Sequence, residues 1–186
     1  SSWEAVRMHQ VAEALGIGLD DVRHCFREKD ELIDAWFERA DDAVLQLSDS
    51  GELAQLAPRE RLFRLIMAWL DALESHRQVS RQMIQSKLEP GHLHIQIPAL
   101  MRISRTVQWM REGARLQDAG VMRAVLETAT TAIYLAACVS WMGENTAGSP
   151  RTRRLLDGML AQAEAIMQAC PGGSGKAGEK GIPRAL

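Results

Sequence analysis

The stretch from residue 6 to residue 32, VRMHQVAEALGIGLDDVRHCFREKDEL, constrains this chain more than any other. Met8, Val11, Ala12 and Leu15 recur at helical spacing, with Gln10 and Glu13 on the other side. Gly16-Ile17-Gly18 then interrupts the helix, glycine being the residue that most readily takes the left-handed geometry that ends one. A second, short helix follows. Asp20 and Asp21 suit its positive N-terminal end, and Leu19, Val22 and Phe26 are spaced to pack inward. Lys29-Asp30-Glu31-Leu32 opens a third, longer helix. Helix, glycine turn and short helix make a helix-turn-helix, whose second helix can lie in the DNA major groove. The residues this frame offers to DNA are Arg7, Gly18, Leu19, Arg23, His24, Arg27 and Lys29.

VAEALGI, a gap over residues 18–21, VRHCF and KDEL also resemble the DNA-binding module of the TetR family, with Ala12, Gly16, Ile17, Val22, Phe26, Lys29 and Leu32 in the family's frame. The resemblance implies an N-terminal helix-turn-helix followed by an all-helical domain that binds a small molecule and forms homodimers. The sequence departs from the family pattern in three places. Gly18 stands where the family usually has a small hydroxyl residue, and Arg23 where it has an aromatic. Only five residues precede the helix read at Val6, where the family has a whole further helix, so the first helix is expected to be missing. These departures bear on DNA binding rather than on fold.

With 186 residues, 46% hydrophobic and 25% charged, the chain is long enough to bury a substantial core. Abundant Ala, Leu, Met, Arg, Glu and Gln, with one Tyr and three Phe and no useful alternating pattern, predict an all-α fold. Cys25, Cys138 and Cys170 form no CxxC pair, which predicts free thiols and a reducing, cytoplasmic setting. No signal peptide is visible, and the longest weakly polar run, residues 129–142, is too short to span a bilayer.

Three parts are expected: residues 1–47 as the helix-turn-helix module with its connecting helix, 48–170 as a helical ligand-binding and dimerisation domain, and 171–186, PGGSGKAGEKG and beyond, as a disordered tail. Helices are predicted over 30–47, from Pro58 through Leu73, over 77–88, from Pro98 to about Leu116, over 122–142 and over 152–169. The 122–142 helix is apolar around most of its circumference and reads as the central buried one. On the last helix, Leu155, Leu156, Met159, Leu160 and Ile166 form an apolar face expected to close a dimer interface.

A narrower resemblance lies in AIYLAACVSWMGENTAGSPRTRRLL, where Glu144 stands ten residues, Thr152 eighteen and Leu156 twenty-two beyond Tyr134. With RLFRLIMAWLDAL and the Pro90-Gly91-His92 turn, it looks like the TetR-like accessory proteins of ubiquinone biosynthesis. That resemblance implies the same fold, isoprenoid lipid in the helical domain and no DNA-binding role.

Charge is unevenly distributed. Residues 1–47 carry five Lys/Arg against eleven Asp/Glu, net −6, which disfavours contact with phosphates. Residues 58–116 carry ten Lys/Arg against five acids, net +5, with Arg102 and Arg105 on one face and Arg111 and Arg115 on another. Such a face is either simply solvated or able to touch an anionic membrane surface or acidic partner. Eight of nine Met lie beyond residue 60, interleaved with Trp69, Trp109 and Trp141. Met67, Met101, Trp109, Tyr134 and Trp141 are therefore candidate walls of an apolar pocket, against the alternative of ordinary core packing.

Catalysis finds little support. GxSxG, phosphate-loop and HExxH motifs are absent, and His92-x-His94 reads as a polar loop rather than a metal site. No metal, cofactor or enzymatic activity is expected. Two readings result: a ligand-responsive transcriptional regulator that binds operator DNA as a homodimer, and, as the alternative, a lipid-binding accessory protein with peripheral membrane contact that does not read DNA.

Overall fold

The computed structural model describes residues 2–88, 93–117 and 120–169, with the backbone alone for 88 and 93–100. Among them the chain is entirely helical: α1 (Met8–Leu15), α2 (Leu19–Cys25), α3 (Lys29–Asp49), α4 (Pro58–Ala72), α5 (Arg77–Leu88), α6 (Leu93–Gly113), α7 (Gly120–Gly143) and α8 (Pro150–Ala169), with 3-10 turns at Trp3–Ala5 and Glu74–His76. The tail from 171, Cys170 and the His92 of the His92-x-His94 pair lie outside the described residues, as does the side chain of His94.

Local signals explain most boundaries. Gly16 ends α1 with φ +66, and its N–H returns to the carbonyls of Ala12 and Glu13. Pro58 occupies the first turn of α4, where its missing N–H costs nothing. α6 differs from the sequence expectation: it begins at Leu93, before Pro98, and ends at Gly113. Pro98 is the sixth residue of α6, a position where a proline lacks one helical donor and its ring crowds the carbonyl four residues back, a local cost that the helix carries.

The core is centred on α4. Leu65, Ile66 and Leu70 are wholly buried and Met67 nearly so, and along that stretch only the strip of Arg64 and Ala68 reaches water. α3 packs along α4 and also contacts α6, and α8 lies along α7. Trp3, Ile33, Phe37, Val44, Leu53, Trp69, Val107, Met110, Trp141, Leu156 and Leu160 join one continuous apolar cluster. The expectation that the 122–142 helix is the central buried one is corrected. α7 buries Thr130, Ile133, Tyr134, Ala137, Cys138 and Trp141 but exposes Val121, Val125, Leu135 and Val139. By length and composition α7 could cross a membrane, being longer than the apolar run within it; here it packs against α6 and α8.

At Gly113 three helices crowd together. A methyl group there would stand 2.3 Å from Ser48 Oγ and 3.2 Å from Leu65 Cδ1. Gly113→Ala should therefore destabilise the protein by about 1–3 kcal/mol, as overpacking does. A chemical-denaturation midpoint equal to that of the parent chain would contradict it.

Candidate DNA-binding face and ligand cavity

α2 starts from a turn that the sequence itself caps. The Asp21 carboxylate accepts the Gly18 N–H at 2.9 Å, and Asp20 pairs with Arg23 at 3.2 Å. The two aspartates thus hold the helix start, and Asp20 also holds a basic side chain. His24 Nδ1 lies 2.7 Å from the Asp20 carbonyl. Arg23, His24 and Arg27 come together around one shallow surface concavity. Gly18 and Leu19 are exposed beside them. Val22 is buried and Phe26 half-buried, so two turns of helix suffice to seat α2, while Leu19 faces solvent rather than the interior. Leu15, expected on the inward stripe of α1, is 65% exposed, and Ile17 is also exposed.

Arg7 and Lys29 are drawn elsewhere. Lys29 Nζ donates to the Trp3 carbonyl at 2.7 Å and sits 4.6 Å from the Trp3 ring centroid. Arg7 donates to the Glu4 carbonyl at 2.6 Å. Desolvation, then the Arg7 charge, lower the Lys29 pKa. Trp3 is buried and its N–H meets Gln82 Oε1 at 2.6 Å, so this short N-terminal turn ties the head of α3 to α5. In the protomer Lys29 thus clamps the N-terminal turn to the head of α3.

A cavity of about 130 Å³, partly open to solvent, lies among α3 to α7. Ile33, Phe37, Trp69, Ile84, Ile103, Tyr134, Leu135 and Cys138 make it apolar, and Asp34, Lys87, Arg102 and Thr106 give it a polar rim. Phe37 stacks on Trp69 at 5.7 Å, and Trp69 meets Tyr134 edge-on at 5.4 Å, so the aromatic wall is braced from behind. Burial raises the Tyr134 pKa well above its ordinary value and pushes the Cys138 thiol up to about 12, which makes both neutral lining groups.

The rim also explains the charge asymmetry. Lys87 reaches Asp30 at 3.5 Å and Asp34 at 3.9 Å, and Arg102 reaches Asp34 at 3.6 Å and Asp41 at 3.4 Å. The acids of α3 thus face cations of α5 and α6. Arg111 is buried and donates to Thr130 Oγ1 at 3.3 Å. With Arg102 and Arg111 both turned inward, the two basic faces read from the sequence do not exist as solvent-facing stripes, and the membrane-contact expectation loses its footing.

Glu144, which carries the second resemblance, is a fold element. Its buried carboxylate accepts the backbone N–H groups of Arg151 and Thr152 at 2.9 Å each, and the hydroxyls of Thr152 and Thr146 at 2.8 Å each. Arg77 and Arg81 on α5 donate to its carbonyl oxygen. Desolvation pushes the Glu144 pKa up, and the hydrogen bonds outweigh it, bringing the group from its ordinary 4.5 to about 2.

Solved structures resemble the whole arrangement. A TetR transcriptional regulator from Nitrosomonas europaea ATCC 19718 shares 48% sequence identity, covering 89% of this chain and 90% of that one, with a TM-score of 0.79. The chain belongs to the TetR family of transcriptional regulators. A TetR transcriptional regulator from Rhodococcus sp. RHA1, at 18% identity over 88% of each chain and a TM-score of 0.61, shares the fold. No family sequence model matches the chain, and no curated protein does.

Within this TetR fold the expected pocket walls are largely redistributed. Tyr134 alone of the five lines the cavity. Met67 and Trp141 are core residues, and Met101 and Trp109 are exposed. Ile33, Phe37 and Ile84 line the cavity instead, apolar residues that stand at ordinary helical positions in α3 and α5 and carry no signal of a pocket in the sequence. Among the expected interface residues, Leu156 and Leu160 are buried inside the protomer, Met159 is half-buried, and Leu155 and Ile166 are exposed. No group of three His, Cys, Asp or Glu suited to a metal occurs among the described residues.

Proposed function

We propose that this TetR-family protein is a ligand-responsive regulator, a cytoplasmic homodimer that binds operator DNA through α2 and a small apolar molecule in the cavity among α3 to α7. The observation that carries the reading is the exposed cluster of Arg23, His24 and Arg27 on α2. The objection from net charge weakens once Asp30, Asp34 and Asp41 are assigned to Lys87 and Arg102.

The test is binding of the purified protein to DNA from upstream of its own gene across a salt series. Arg23 and Arg27 from both protomers give about four phosphate contacts, so affinity should fall roughly 100-fold between about 50 and 200 mM salt. Arg27→Ala should reduce the log–log salt slope by about 2, one contact per protomer. Absence of DNA binding at low salt would sink the operator reading. The reading as a lipid-binding accessory protein that does not bind DNA would then replace it.

A further inference from the structure

The rim of the cavity has a particular shape of charge. Lys87 Nζ and Arg102 Nη1 both point at one oxygen, Asp34 Oδ1, at 3.9 and 3.6 Å. These distances exceed the about 2.7–2.9 Å of a close charged hydrogen bond, so neither cation is tightly held there. Asp41 Oδ1 accepts Trp69 Nε1 at 2.8 Å and Thr106 Oγ1 at 2.9 Å, and its Oδ2 meets Arg102 Nη2 at 3.4 Å, which leaves Arg102 Nη1 with Asp34 alone. The Asp34 side chain is about half exposed (48%), so water can solvate it if it swings outward. Lys87 and Arg102, in contrast, have side chains only 14% and 17% exposed, where an unpaired charge is costly.

From this we infer that the effector is a small apolar organic acid, its hydrocarbon body in the cavity and its carboxylate between Lys87 and Arg102 in place of Asp34. The inference rests on the reading of this cavity as the effector site and deepens it. Size narrows the class: an engineered apolar cavity of about 150 Å³ holds one benzene ring. The 130 Å³ here therefore suits a single ring or a short branched chain, with the acid group at the opening. Asp30 and Asp41 also pair with Lys87 and Arg102 but do not line the cavity, so once Asp34 swings out the charged groups facing the cavity are the two cations, which favours an anionic head over an ammonium.

Calorimetric titration of the full chain at pH 7 with phenylacetate, phenylacetamide and phenethylamine separates the cases, since the three share a ring and differ in charge. Phenylacetate should bind at least ten-fold tighter than the amide, and the amine weakest. Lys87→Gln and Arg102→Gln should each erode that preference several-fold and leave the amide nearly unchanged. Lys87 lies near the end of α5, so its variant keeps the test alive if loss of Arg102 disturbs folding. Ile103→Trp, which fills the cavity, should abolish binding of all three. Equal binding of acid and amide, tightest binding of the amine, or acid binding that survives Ile103→Trp would each overturn the organic-acid inference. Amide binding without acid preference leaves the effector-cavity reading standing. Failure of all three ligands to bind overturns both.

Discussion

Glu144→Ala should lower the stability of the protein by about 3 kcal/mol, a drop in melting temperature of roughly 6–12 °C for a chain of this size. The carboxylate satisfies two backbone N–H groups in the first turn of α8, and one of these, with the hydroxyl of the same residue, belongs to the fully buried Thr152. Removal leaves those donors without an acceptor and also removes a negative charge from a helix N-terminus. α8 would then lose the anchor that sets its entry angle against α7. Glu144→Gln, which keeps one acceptor oxygen, should cost less.

The same residue predicts a pH signature. Because its folded pKa is depressed from 4.5 to about 2, its stabilising contribution is complete above the ordinary value and is lost as pH falls from 4.5 toward 2. The gap between parent and Glu144→Ala should therefore be widest near neutral pH and shrink in acid. Thermal denaturation of both proteins at matched concentration, at pH 7 and pH 3, checks this. A variant that melts within a degree or two of the parent at pH 7 would show that the carboxylate does not hold the corner.

Glu144 also marks where sequence reading reached and where it stopped. The spacing from Tyr134 to Leu156 was legible as a pattern, and it pointed to lipid-binding accessory proteins. Its physical content is a turn: Glu144 caps α8, Thr152 completes the cap, and Leu156 packs one turn later. A motif that builds a corner can recur wherever the fold recurs, whatever the protein binds. The helix-turn-helix was legible because a left-handed Gly16 and an inward Val22 act over a few residues. The cavity was not, because Ile33 and Phe37, Ile84, and Ile103 come from three separate helices, and each reads as an ordinary apolar residue in its own helix. Lys29 shows the same limit. Its charge was visible in the sequence, but its partner, the carbonyl of Trp3, lies twenty-six residues back.

Val139→Glu should convert the proposed dimer to a monomer, and the adjacent pair Leu155 and Leu156 supplies the control. On α7 the exposed residues Val121, Val125, Ala132 and Val139 follow steps of four and seven, so they form one stripe on the flank away from the buried Tyr134 and Trp141, with Leu135 between the stripe and the cavity. α8 packs beside it and exposes Leu155, Ile166 and Met167. Apolar exposure on this scale on two neighbouring helices is what a second copy would cover, and a two-fold axis would build a four-helix contact from the two pairs. Symmetry enters Val139→Glu twice, and two unpaired charges at about 2 kcal/mol or more each should raise the dimer dissociation constant on the order of 1,000-fold. Val139 is 64% exposed in the protomer, so the helical circular-dichroism spectrum should survive the change. Leu155→Glu should behave in the same way, whereas Leu156→Glu places a carboxylate at a position with no exposure and should unfold the chain. Sedimentation at micromolar concentration reads the outcome. A monomeric parent chain would overturn the homodimer itself, and variants Val139→Glu and Leu155→Glu that remain dimeric would show that its interface lies elsewhere than the α7–α8 face.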